Sequence, residues 1–186
     1  FTDVLKTEIN FTNNITEFEK SDCIKINYSP SKLNCGIFFQ STTVLFETGI
    51  KEQEINLFEY EGNKCFYSVS KDSEFPFDPF AASFYLISRY EEYLPHIKDN
   101  HERFLASESL AFQNNFLEIP LVNIWLNQIA KRIESFSNFN FPIRKFEFIS
   151  TLDIDNAYAY QHKGFVRTLG GLAKSLQSGT FIKRLK

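Results

Sequence analysis

The stretch Phe146-Glu147-Phe148-Ile149-Ser150-Thr151-Leu152-Asp153-Ile154-Asp155 constrains the chain most, because its alternation predicts a strand that ends in two carboxylates. Phe146, Phe148, Leu152 and Ile154 share one parity, hence one face of a pleated strand. Asp153 and Asp155 share the other parity, roughly 7 Å apart by strand rise. Like charges that close repel unless a cation or strong donors stabilise them. Held in a cleft, such a pair suits a divalent metal with a general base beside it. At a solvated strand end the same two residues simply open a turn, and a bare D-x-D pattern does not separate the two readings.

The rest of the chain narrows the class. Its 186 residues suffice for one good core with a second, partial unit. Twenty basic and 23 acidic residues leave a net charge of −3, and no basic run or basic–aromatic stripe occurs, which argues against nucleic-acid binding. No stretch approaches the roughly 20 apolar residues of a membrane span, and no signal peptide opens the chain. Cys23, Cys35 and Cys65 are odd in number and widely spaced, unlike a disulfide framework or a C-x-x-C metal site. Reduced thiols in a cytoplasmic setting are the expectation. The 22 phenylalanines, at alternating or helical spacing, point to core rather than to ligand-stacking platforms.

Along the chain, residues 1–70 read as short strands and turns. Phe1-Thr-Asp-Val-Leu5 resembles the end of a helix, Thr7–Thr12 alternates as a strand, and Thr16 is placed to cap a short helix reaching Lys20. Cys23–Tyr28 alternates again, Gly36–Phe39 and Val44–Phe46 are short apolar runs of the buried-strand type, and Lys64–Val69 follows a turn at Gly62-Asn63. Asp78 then stands at an N-cap with Pro79 at the first helical position. That helix is predicted to reach about Tyr93, before Pro95, and to be apolar around most of its circumference, as a buried helix is. Arg89, Glu91 and Glu92 lie in its last turns. Acids there oppose the helix dipole, so the glutamates need a cation, with Arg89 the nearest. They read as a structural ion-pair cluster or, with Arg103, as an interdomain or substrate contact. Residues 96–115 form a polar connector; His96 and His101, five apart across it, match no usual metal-ligand spacing. Pro120 opens a second long helix to about Phe136, with Val122, Trp125, Leu126, Ile129 and Ile133 as its apolar stripe. Pro142 lies in the linker that follows, which sets domains at 1–138 and 144–186.

Thr151-Leu-Asp-Ile-Asp155, followed by Asn156-Ala-Tyr-Ala-Tyr-Gln-His-Lys-Gly164, resembles the opening of the polysaccharide deacetylase (NodB-type) domain. Phe75-Pro-Phe-Asp-Pro-Phe-Ala-Ala-Ser-Phe-Tyr-Leu-Ile-Ser-Arg-Tyr-Glu-Glu-Tyr93 is similar to the region preceding that domain in a bacterial, Bacteroidetes-type subfamily. The resemblance implies a distorted (β/α) barrel beginning near residue 144, with Asp153 as general base and Asp155 as a ligand of zinc or a similar divalent metal. It implies an amino-sugar or related glycan substrate. The family completes its metal site with an H-x-x-x-H pair, whereas this chain has only His96, His101 and His162. A (β/α) barrel takes about 250 residues, and 31 follow Asp155. The expectation is therefore the N-terminal part of a longer enzyme: an α/β chain with a mixed α+β accessory domain, then the first elements of a truncated barrel. The fragment by itself is expected to bind no metal and to be inactive. A non-catalytic accessory domain that binds glycan or a partner, or that only covers the barrel, is the alternative.

Overall fold

Strand pairing and helix packing around one aromatic core organise the larger of two compact units, Phe1–Ile143; the smaller is Arg144–Lys186. The computed structural model describes residues 2–143 and 145–153. The architecture is mixed α and β.

The chain begins with a short helix, α1 (Thr2–Leu5), which buries Leu5. Thr7–Thr12 does not form the predicted strand. It meets no neighbouring edge, and its Phe11 is exposed, so alternation alone had no surface to bury against. Helix α2 (Ile15–Lys20) is capped two residues earlier than predicted: Asn14, not Thr16, accepts the backbone N–H groups of Thr16 and Glu17.

Strands β1 (Ile26–Ser29) and β2 (Ile37–Gln40) pair in parallel, Ile26 opposite Ile37 and Ser29 opposite Gln40. Parallel pairs usually need a longer crossover. Here both strands are four residues long, so the connection at residues 30–36 reaches back without a helix. Gly36 makes the return possible. It sits at φ +87°, and a Cβ there would lie 3.1 Å from the Lys25 backbone oxygen and from the Phe18 ring. Val44–Phe46, predicted as a buried strand run, is a 3-10 turn in which Val44 alone is buried.

Strands β3 (Phe58–Tyr60) and β4 (Asn63–Cys65) form an antiparallel hairpin. Its two-residue turn is Glu61-Gly62, one position earlier than predicted, and both residues have positive φ, as a type I′ hairpin turn requires. The strand expected to run to Val69 ends at Cys65; Ser68 instead bridges to Phe77.

Asp78 is fully buried and starts α3 (Pro79–Ile87). One of its carboxylate oxygens accepts the N–H groups of Phe80 and Ala81; the other accepts the Thr42 N–H (2.7 Å), the Thr42 hydroxyl and the Tyr28 hydroxyl (both 2.9 Å). One side chain thus fastens β1, the loop after β2 and the helix start. Burial, with the Asp78 charge adding to it, pushes the Tyr28 phenol well above its ordinary range, so it remains a donor. Helix α3 stops at Ile87 rather than at Tyr93, and it is not buried all round. Pro79, Ala81, Ala82 and Tyr85 face inward, while Phe84 and Ile87 are exposed, Ile87 by 70%. Helix α4 (Leu110–Gln113) is a single turn capped by Ser109. Helix α5 (Leu121–Phe136) follows Pro120 and buries Leu121, Trp125, Ile129, Ala130 and Ile133.

The core these elements enclose is largely aromatic. Phe39, Phe66, Phe75, Phe77 and Trp125 are essentially excluded from solvent. Phe75 and Phe77 stack at 5.7 Å, and Phe77 meets Trp125 at 5.4 Å. Each such pair adds about 0.5–1.5 kcal/mol beyond area burial. Cys65 lies among them, and burial pushes its thiol up to about 12, which keeps it protonated and inert. Residues 145–153 carry no regular secondary structure, contrary to the predicted strand: no partner edge pairs with them among the described residues. Among the described residues no helix is long and apolar enough to cross a membrane.

Candidate functional site

Where α3 stops, the chain builds the cluster that the sequence singled out. Ser88 ends the helix, and Arg89 takes a left-handed conformation (φ 53°, ψ 45°) that turns the backbone into a 3-10 turn at Tyr90–Tyr93. For a non-glycine residue that conformation costs of order 1 kcal/mol or more and needs support from elsewhere. Tyr90 supplies it. Its ring stacks on Tyr85 at 5.4 Å, and its hydroxyl both accepts the Lys51 N–H (2.8 Å) and donates to the Lys51 carbonyl (3.1 Å).

With Tyr90 anchored inward, Arg89, Glu91 and Glu92 project toward the start of α5. Arg89 forms an ion pair with Glu92, the cation the glutamates were expected to need. Glu91 accepts the Leu110 N–H at 2.8 Å. Burial holds the Glu91 carboxyl above the ordinary carboxylate range; the neighbouring Glu92 charge adds to this, and the Leu110 N–H and Arg89 oppose it. Beside these groups lies a cleft of about 470 Å³ walled by Leu86, Ile87, Phe104, Phe116, Leu117 and Val122. The cleft is open to solvent, and Ser109 and Asn123 also line it.

Arg103 does not join this cluster. Its guanidinium binds Asp99, Nε at 3.0 Å and the terminal nitrogen at 2.9 Å, while Asp99 also accepts the N–H groups of His101 and Arg103. Those donors, the Arg103 N–H first, hold the Asp99 carboxyl below the ordinary range. The polar connector is thus an ordered loop, closed by a bridge between Lys98 and Phe104, and Phe104 is the part of it that reaches the cleft. His96 is also committed locally, with Nδ1 2.8 Å from the Leu94 carbonyl and its ring edge-on to Phe104. Among the described residues no group of three or more His, Cys, Asp or Glu side chains is placed to hold a metal.

Asp153 is exposed, in the segment without regular structure; Asp155 and His162 lie outside the described residues. Phe146, Phe148 and Leu152, expected to share one strand face, are 92%, 82% and 84% exposed.

Sequence reading missed a second polar cluster. Arg132 on α5 reaches Glu74 (3.3 Å), Glu61 (3.9 Å) and the Tyr60 hydroxyl (3.4 Å), and Gln128 one turn earlier donates to Glu61. It ties the β3–β4 hairpin to α5. The spacing of Gln128 and Arg132 on one helix face was its only local signal. A cavity of about 500 Å³ beside β1 and β2 includes Cys23 and Cys35, which like Cys65 are free thiols.

The sequence profile of one family covers this whole arrangement, from residue 1 to residue 138. The chain belongs to DUF7033, a family of unknown function. No curated protein and no solved structure matches the chain. The DUF7033 region therefore holds the cleft, the Asp78 hub and the Arg132 cluster, and Asp153 lies past its end.

Proposed function

We propose that this chain is the N-terminal part of a metal-dependent carbohydrate N-deacetylase, in which the DUF7033 region precedes a (β/α) barrel that begins with residues 144–186. The observation that carries the reading is the wording Thr151-Leu-Asp-Ile-Asp155 after a Phe75–Tyr93 stretch, each resembling its counterpart in deacetylases of this kind. The reaction is hydrolysis of the amide of an N-acylated amino sugar. A divalent metal, zinc or similar, would supply carbonyl polarisation and water activation. Of the family's donor set this sequence supplies only the Asp155 oxygen ligand, and the H-x-x-x-H pair that would complete the set is not in it. Asp153 takes the proton from the attacking water as general base. Three free cysteines support a reducing, cytoplasmic location.

The test is acetate release from an N-acetylated chito-oligosaccharide by the longer, zinc-supplemented protein. Asp153→Asn is expected to lower the rate by about 10²-fold or more with the melting temperature unchanged, and this chain alone to release none above background. An unchanged rate in Asp153→Asn overturns the assignment. The second reading, a non-catalytic accessory domain that binds a ligand or partner, is favoured by one observation: the cleft and its exposed apolar rim lie wholly within the DUF7033 region.

A further inference from the structure

We infer that the cleft between the end of α3 and the start of α5 is a binding site for a small amphiphilic amine, with the ammonium on Glu91 and the apolar body against Ile87, Phe104, Leu117 and Val122. The inference does not depend on the deacetylase reading. It starts from an imbalance. One guanidinium and two carboxylates line the cleft, and Arg89 is already paired with Glu92. Glu91 is left over. It forms no ion pair among the described residues, and one of its two oxygens takes the Leu110 N–H.

A carboxylate in that position is held in a poor environment. It is half-buried and next to a second carboxylate, and both conditions disfavour its charge. A cation delivered to it would meet an attraction several times stronger than in bulk water. An anionic ligand would add a third negative charge where the only guanidinium is already engaged. A neutral apolar ligand would strip water from Glu91 and return nothing.

The remainder of the ligand is set by the walls. Ile87 is 70% exposed, Leu117 56% and Ile119 44%, so the rim is apolar surface facing water beside the charged end. A cleft of about 470 Å³ has room for a phenylbutyl body beside Glu91. Single-headed amines with an aliphatic or aryl tail are therefore the class that satisfies charge and surface together.

The experiment is a titration of the 186-residue chain followed by amide shifts, using 4-phenylbutylamine, 4-phenylbutanol and 4-phenylbutanoate as probes that share one body. The amine is expected to give saturable shifts at Ile87–Glu92, Leu110 and Val122 and to bind about tenfold tighter than the alcohol. The carboxylate is expected to bind weakest. Glu91→Gln, whose amide oxygen still accepts the Leu110 N–H, should erase the advantage of the amine over the alcohol. Ile87→Lys, at a position already in solvent, should weaken the amine most, because repulsion adds to the apolar contact that all three probes lose. Equal binding of amine and carboxylate, an unaltered preference in Glu91→Gln, shifts confined to other surfaces, or no saturation by about 10 mM would each overturn the proposal.

Discussion

Two stretches of this chain share a design and meet opposite fates. Phe75-Pro76-Phe77 leads into Asp78, and Phe146-Glu147-Phe148 leads toward Asp153. In the first, the alternate phenylalanines are 1% and 0% exposed and the aspartate accepts five hydrogen bonds. In the second, the phenylalanines are 92% and 82% exposed, and the described segment pairs with nothing. Alternate phenylalanines ahead of an aspartate thus specify nothing until a complementary surface exists. Phe75 and Phe77 have Phe39, Tyr60, Phe58 and Trp125 to pack against. A strand pattern carries only half of the information; the partner edge carries the rest.

That contrast predicts very different costs for the same substitution. Phe77→Ala removes a fully buried ring from the middle of the aromatic core and is expected to destabilise the chain by about 3–5 kcal/mol. Phe148→Ala removes a ring already in water and is expected to stay within about 0.5 kcal/mol. Urea unfolding of both variants decides it, and comparable losses would break the distinction between the two stretches.

What could be seen from sequence follows the same division. The start of α3 was legible in Asp78-Pro79 because an N-cap and a first-turn proline are local signals. Helix α5 was legible in the stripe from Val122 to Ile133 because a helix buries one face whatever lies opposite. The end of α3 was not legible. No residue near Arg89 forbids another helical turn; what stops it is Tyr90, fixed by Tyr85 and by the backbone of Lys51, 39 positions away in sequence. The strand at Thr7–Thr12 failed because no edge awaited it. The β3 strand was missed because three residues, Phe58-Glu59-Tyr60, are too few to show a period. At the candidate site, the Arg89–Glu92 pair was foreseen from charge alone, whereas the position of Glu91 against Leu110 depends on a contact across 19 residues.

A smaller effect sharpens the account at that position. Because burial raises the Glu91 carboxyl, it releases its proton at a higher pH in the folded chain than in the unfolded one. Over the interval between those two values the folded state holds more protons, so the stability Glu91 contributes falls as pH rises. The groups that face it are Glu92, Arg89 and the Leu110 N–H. Glu91→Gln removes the titration while keeping an acceptor for Leu110. Its stability relative to the unaltered chain is therefore expected to increase as the pH rises above the ordinary carboxylate range. A difference that does not change with pH would mean that Glu91 is no more desolvated than an ordinary surface carboxylate.

The central claim is that Asp78 builds the fold and that Asp153 contributes nothing to it. It is tested most directly by the unfolding free energies of Asp78→Asn and Asp153→Asn, measured side by side in urea. An amide at position 78 presents a donor to the donors of Thr42, Tyr28, Phe80 or Ala81, so a loss of about 2–4 kcal/mol is predicted there. At position 153 the predicted change is within about 0.5 kcal/mol. A large loss at Asp153, or none at Asp78, would contradict the account.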